Sequence, residues 1–141
     1  MSKFLDLFQG KTFSSPPLWF MRQAGRHLPE YREVRKTCKT FFDLCYTPDL
    51  AAQVTLQPLE RFGYDAAILF SDILVIADAL GQRVSFEESK GPLLSPVSLS
   101  SFPEQLSFER FFEKVTPVSE AIPAWVFRNA RKRSTGRHLL V

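Results

Sequence analysis

The hydrophobic period changes several times along the chain, and each change marks an element. Lys3 to Phe8 reads as a short amphipathic helix that ends near Gly10, before a polar, proline-rich turn through Ser14-Ser15-Pro16-Pro17. Leu18 to Met21 is a brief, wholly apolar run, the pattern of a strand buried on both faces. Pro29 opens a helix through Tyr31, Val34 and Lys36, and Phe41 to Cys45 forms a further helical turn. Thr47 is placed to cap a helix with Pro48 at its first position and Asp49 against its N-terminal dipole. That helix runs to about Arg61, and Pro58 inside it is expected to kink it or end its first half.

The next unit is a strand-length apolar run, Asp65 to Phe70, which delivers Ser71-Asp72 at its C-terminal end. A helical stretch from Ile73 to Leu80 follows and is closed by Gly81. Arg83 to Glu87 alternates like a strand, Gly91-Pro92 is expected to turn the chain, and a serine-rich loop leads to a helix from Glu104 to Lys114. No internal repeat is visible. Strand, loop and helix in this order predict an α/β protein with a parallel sheet, and two polar loops placed just after strand-like runs suit a (β/α)8 barrel. A full barrel takes about 250 residues, so 141 residues give an incomplete, N-terminal part of one.

Composition adds that 45% hydrophobic and 13% aromatic residues, 14 of them Phe, suffice for a sizeable core and exclude a disordered chain. No apolar run approaches the roughly 18 to 20 residues of a membrane span, and Met1 to Asp6 lack the layout of a signal peptide, so a cytoplasmic protein with no membrane partner is expected. Cys38 and Cys45 form no CxxC and have no histidine cluster beside them, which predicts free thiols and no metal site. The net charge of +3 hides an asymmetry: all 15 acidic residues precede Pro123, and the basic residues Arg128, Arg131, Lys132, Arg133 and Arg137 follow it without an acid. Such a tail has the charge of a nucleic-acid patch, but nothing upstream supplies a fold to orient it, and no nucleic-acid partner is expected.

The chemistry concentrates in Pro17-Leu18-Trp19-Phe20-Met21-Arg22-Gln23-Ala24-Gly25-Arg26. Arg22 and Arg26 flank a glycine, each presents a planar fork that meets a carboxylate through two bonds, and Gly25 permits a tight turn that aims both into one cavity. The bland alternatives are ordinary surface arginines, a helix cap at Asp72, a solvated helix face made of Arg32, Arg35 and Lys36, and core packing for Trp19, Phe41, Phe42 and Phe70.

That ten-residue string, continued by Leu28-Pro29-Glu30-Tyr31-Arg32, closely resembles the N-terminal signature of the uroporphyrinogen decarboxylase family. The resemblance extends through Phe41-Phe42-Asp43-Leu44, Thr47-Pro48, Gly63-Tyr64-Asp65-Ala66-Ala67, Phe70-Ser71-Asp72-Ile73-Leu74 and Ala79-Leu80-Gly81 to about Ile122. It implies a cytosolic, cofactor-free, homodimeric (β/α)8 carboxy-lyase of haem and chlorophyll synthesis. Such an enzyme converts uroporphyrinogen III to coproporphyrinogen III by removing four acetate carboxyls. It also implies that Arg22, Arg26 and Arg35 hold the carboxylates, that the backbone of Gln23, Ala24 and Gly25 shapes the loop, and that Asp72 is the catalytic anion. His27 stands where the family often has an aromatic residue.

The resemblance divides the chain into residues 1–122 and a basic tail, residues 123–141. The family's second, glycine-rich signature and its later Tyr, Ser or Thr, and His site residues are absent, which predicts a truncated product with a frameshift near Ile122. A non-catalytic remnant or a basic-tailed binding protein is the alternative. A corrinoid or thiol methyltransferase of similar fold is disfavoured, since the chain shows no zinc set of His and Cys.

Overall fold

A computed structural model describes residues 3–87, 90–97, 107–130 and 138–140, with side chains as far as Pro123. In chain order the elements are α1 (Lys3–Phe8), α2 (Pro29–Lys36), α3 (Phe41–Tyr46), α4 (Pro48–Phe62), β1 (Ala66–Ile68), α5 (Leu74–Ala79), β2 (Val84–Glu87), β3 (Gly91–Leu94), α6 (Phe108–Ala130) and β4 (His138–Leu140). The architecture is mixed α/β. β1 and β4 pair in parallel with Ala66 opposite His138, while β2 and β3 form an antiparallel hairpin with Val84 opposite Leu94.

α4 lies at the centre, packed against α2, α3, β1 and α6. Its residues Val54 to Leu59 are buried in one unbroken run, so the helix is covered on more than one face. One core cluster joins Leu28, Tyr31, Val34, Cys38, Leu44 and Val54, with Leu50 and Phe70 against it; a second joins Ala52, Leu56, Leu59 and Ala67. This packing carries α4 straight through Pro58, itself buried, to Phe62, where the expected break does not occur. Burial on both sides of the proline outweighs one missing backbone bond. Gly63 then ends the helix at φ 73°, a conformation open to glycine, and its N–H closes on Leu59 O.

α3 starts with a complete capping box, in which Asp43 N donates to Thr40 Oγ1 at 3.1 Å and Thr40 N donates to Asp43 Oδ2 at 2.7 Å. Thr47 stands at the expected N-cap of α4, but its side chain makes no capping bond, and its carbonyl accepts from Ala51 N instead. A charged contact fastens α6: Lys114 Nζ donates to Asp78 Oδ2 at 2.8 Å, and Tyr46 Oη donates to the same oxygen at 2.7 Å.

Three expectations need correction. Leu18 to Met21 is not a strand: Leu18, Phe20 and Met21 are exposed, and only Leu18 reaches the β1 segment by backbone, accepting from Asp65 N at 2.9 Å. Gln23 does what a ladder would do, its Oε1 accepting from Phe20 N at 2.7 Å and its Nε2 donating to Ala66 O at 3.1 Å. A buried side-chain amide thus replaces the backbone pairing that would have made the strand regular. Gly91-Pro92 opens β3 rather than turning the chain, because Pro92 sits on a hairpin edge where its missing N–H costs nothing. The last helix begins at Phe108 and runs unbroken across Pro117 and Pro123 to Ala130. The composition break at Pro123 therefore falls inside α6; residues 104–106, where the helix was expected to start, lie outside the described residues, as does the basic stretch 131–137.

Candidate active site

The loop between residues 22 and 28 and the segment after β1 meet on one side of α2. Leu28 N donates to Gly25 O at 3.0 Å, closing the loop, and Arg32 Nη1 donates to Arg26 O at 2.7 Å. The spacing of Arg32, Arg35 and Lys36 predicts a solvated helix face, and the structure separates the three. Arg32 braces the arginine loop from outside, Arg35 is half-buried in a cleft, and Lys36 pairs with Glu33 on the surface at 2.7 Å. Gly25 is not in the left-handed region, and a Cβ there would meet only the His27 ring, Nδ1 at 3.4 Å and Cε1 at 3.7 Å, so the turn does not require glycine for its backbone.

Beyond β1, Phe70 N donates to the buried Thr55 hydroxyl at 2.8 Å, which ties the post-strand segment to α4. Two residues on, Asp72 Oδ1 accepts from Leu74 N at 2.9 Å and its carbonyl from Val75 N at 3.1 Å. Asp72 therefore forms a turn that leads into α5 one residue before its N-cap, Ile73, and one of its carboxylate oxygens binds the first N–H of the helix.

These two segments, the α2–α3 loop and the β2–β3 hairpin enclose a solvent-open cleft of about 670 Å³, within the range of about 300 to 1,000 Å³ usual for ligand sites. Its wall brings together Arg26, Arg35 and Asp72, and adds Tyr31, Lys39 and Glu87, with Phe41 and Phe86 as apolar surface. Phe86 packs edge-on against Phe41 and Phe42, both at 5.8 Å between ring centroids, and this holds the hairpin in place. Arg22 is exposed and is not on the wall; Gln23 is buried as the amide bridge; Ala24 and Gly25 are half-buried in the loop behind.

Three cations face two acids here, and Glu87 is already paired with Lys90 at 3.0 Å. Among the described residues Arg26 and Arg35 have no carboxylate partner. Burial pushes the Tyr31 phenol above its usual pKa, and the charges of Arg35 and Arg26 oppose that shift. Beneath the wall, burial and then the negative charge of Asp72 push the Cys45 thiol up to about 12. Cys38 and Cys45 are free thiols, and both are buried. Among the described residues no cluster of His, Cys, Asp or Glu could hold a metal. No helix among the described residues is long and apolar enough to cross a membrane.

Tyr31, Lys39, Phe41, Phe86 and Glu87 were not picked out as site residues from sequence. The aromatics carried the pattern of core residues, and Lys39 stands alone in a short loop with no periodic or motif signal.

An open cleft whose wall carries two guanidinium groups without carboxylate partners, and a carboxylate beside them, offers charge-assisted hydrogen bonds to anionic groups. The chain belongs to the uroporphyrinogen decarboxylase family, whose model matches residues 1–128. It is 55% identical over 120 residues to a uroporphyrinogen decarboxylase of Agrobacterium fabrum, covering 85% of this chain and 35% of that protein. A uroporphyrinogen decarboxylase of Mesorhizobium japonicum is 56% identical over 118 residues, 84% of this chain and 34% of that one. The chain thus spans about a third of the length of these relatives.

Proposed function

We propose that this chain forms the N-terminal part of a (β/α)8 uroporphyrinogen decarboxylase, cytoplasmic and homodimeric when whole, in which its cleft binds uroporphyrinogen III. The observation that supports this most is the meeting of Arg26, Arg35 and Asp72 on one wall, in a chain that belongs to the family. Eight carboxylates on the ligand give the two guanidinium forks partners for charge-assisted hydrogen bonds, which orient the pyrrole to be attacked.

Decarboxylation of a pyrrole acetate needs an electron sink, and the ring becomes one when a proton is added to the α carbon next to the carbon that bears the acetate, which leaves that second carbon electron-deficient. The bond between methylene and carboxylate then breaks, carbon dioxide leaves, and its electron pair neutralises the cationic ring. A proton on the exocyclic methylene makes the methyl group, and loss of the ring proton restores the pyrrole. Asp72, an anion fixed by its bond to Leu74 N, stabilises the positive ring and accepts from pyrrole N–H groups. Four rounds give coproporphyrinogen III.

The test is a chimera in which this chain replaces the matching third of the Agrobacterium fabrum relative. It should form coproporphyrinogen, and Asp72→Asn should lower kcat by on the order of 100-fold or more with little change in KM. Asparagine keeps an oxygen that accepts from Leu74 N, so the thermal midpoint should hold. A chimera that folds without activity, or a parallel loss of kcat and KM with stability, would overturn the assignment.

A further inference from the structure

The loop between α2 and α3 is held at both ends by side chains. On one side Arg35 Nη1 donates to Cys38 O at 2.9 Å; on the other the Asp43 carboxylate accepts from Thr40 N at 2.7 Å. Lys39 therefore lies between two anchored neighbours, Cys38 and Thr40, while it is itself exposed. That side chain stands on the cleft wall with Arg26, Arg35 and Asp72 and makes no ion pair among the described residues. Nearby acids are otherwise engaged: Asp43 accepts from Thr40 N, Glu87 pairs with Lys90, and Asp72 accepts from Leu74 N. A free ammonium on a flexible stem, carried between two anchored neighbours, suits a carboxylate whose position varies from one bound orientation to the next.

We propose that Lys39 is a specificity-determining residue of the cleft, a third cation that favours the ligand carrying eight carboxylates over the product carrying four. This rests on the tetrapyrrole reading above. The two arginines serve two carboxylates of either ligand. An eight-carboxylate ring still offers acetates at the rim for Lys39, whereas the fully decarboxylated ring offers methyl groups there.

Fluorescence titration of the 141-residue chain with uroporphyrin and with coproporphyrin, the oxidised forms of substrate and product, tests this. Lys39→Ala should weaken uroporphyrin binding about fivefold and coproporphyrin binding less than about twofold, while Lys39→Arg should restore the preference. Far-UV circular dichroism of each variant should match that of the unaltered chain. An equal change for both porphyrins, or none for either, overturns the role of Lys39 and leaves the cleft assignment standing. Failure of the unaltered chain to bind either porphyrin overturns the cleft assignment itself.

Discussion

Asp72 shows how one residue satisfies two demands. Its position immediately before a helical pattern made it legible as a cap, and the structure sets it one residue earlier, where its carboxylate binds the first helical N–H, Leu74 N, ahead of the N-cap Ile73; its place on the wall was readable only through the resemblance, since nothing local says which loops share a cleft. The arginines divide the same way. Arg26 and Arg35 reach the wall, and Arg22 does not, because the bond from Arg32 to Arg26 O and the Gln23 bridge fix the loop's orientation from residues outside the motif. Cys45 beneath the site gives a residue-scale prediction. With its folded pKa raised from 9.0 to about 12, the folded chain holds a proton that the unfolded chain loses. Its contribution to stability is complete below about pH 9 and lost as pH rises toward 12; the phenols of Tyr31 and Tyr46, also raised by burial, act with the same sign. The urea midpoint should therefore fall between pH 8 and pH 10.5. Iodoacetamide at pH 8.5 should label Cys45 in urea and leave it unlabelled in the folded chain, as read by mass spectrometry.

Elements with a clear period and clear caps were readable. The helices from Lys3, Pro29, Phe41, Pro48 and Ile73 form within a residue or two of expectation, because apolar spacing, leading prolines and closing glycines all agree with the tertiary packing. The failures occur where a distant group decides. Leu18 to Met21 has a strand's composition, but the Gln23 amide occupies Ala66 O. Pro58 has a breaker's chemistry, but the turns around it are buried. Asp43 of the capping box illustrates the local kind of control: hydrogen bonds from Thr40, first its backbone N–H, hold this carboxyl below the usual carboxylate range. Thr40→Ala removes one half of the box and should cost about 1 kcal/mol of unfolding free energy by urea denaturation. Thr40→Ser, which keeps the hydroxyl, should recover most of it. A neutral Thr40→Ala would mean that packing of Leu44 and Cys45 alone sets the start of α3.

At the scale of the whole molecule the cleft is open to solvent, and the chain spans about a third of its relatives' length. The isolated chain should therefore bind porphyrin without decarboxylating uroporphyrinogen, since stabilising the cationic ring requires a site closed to water. Arg22 separates the two contexts. In the chain alone Arg22→Lys should change porphyrin binding by about 0 to 1 kcal/mol, as for an exposed side chain. In the chimera, where the remaining chain is present and Arg22 is expected to face the ligand, the same change should cost about 1.5 to 3 kcal/mol in kcat/KM. Equal effects in both would place Arg22 in the cleft without help from the remaining chain. The parallel pairing of Ala66 with His138 has a further consequence for biosynthesis. Every residue on the cleft wall lies between Arg26 and Pro92, so a ribosome making roughly 5 to 20 residues per second needs several more seconds to deliver α6 and β4. Helices equilibrate within about a microsecond. During translation every residue of the cleft wall has thus been made, and its helices have had time to form, well before the strand that pairs with β1.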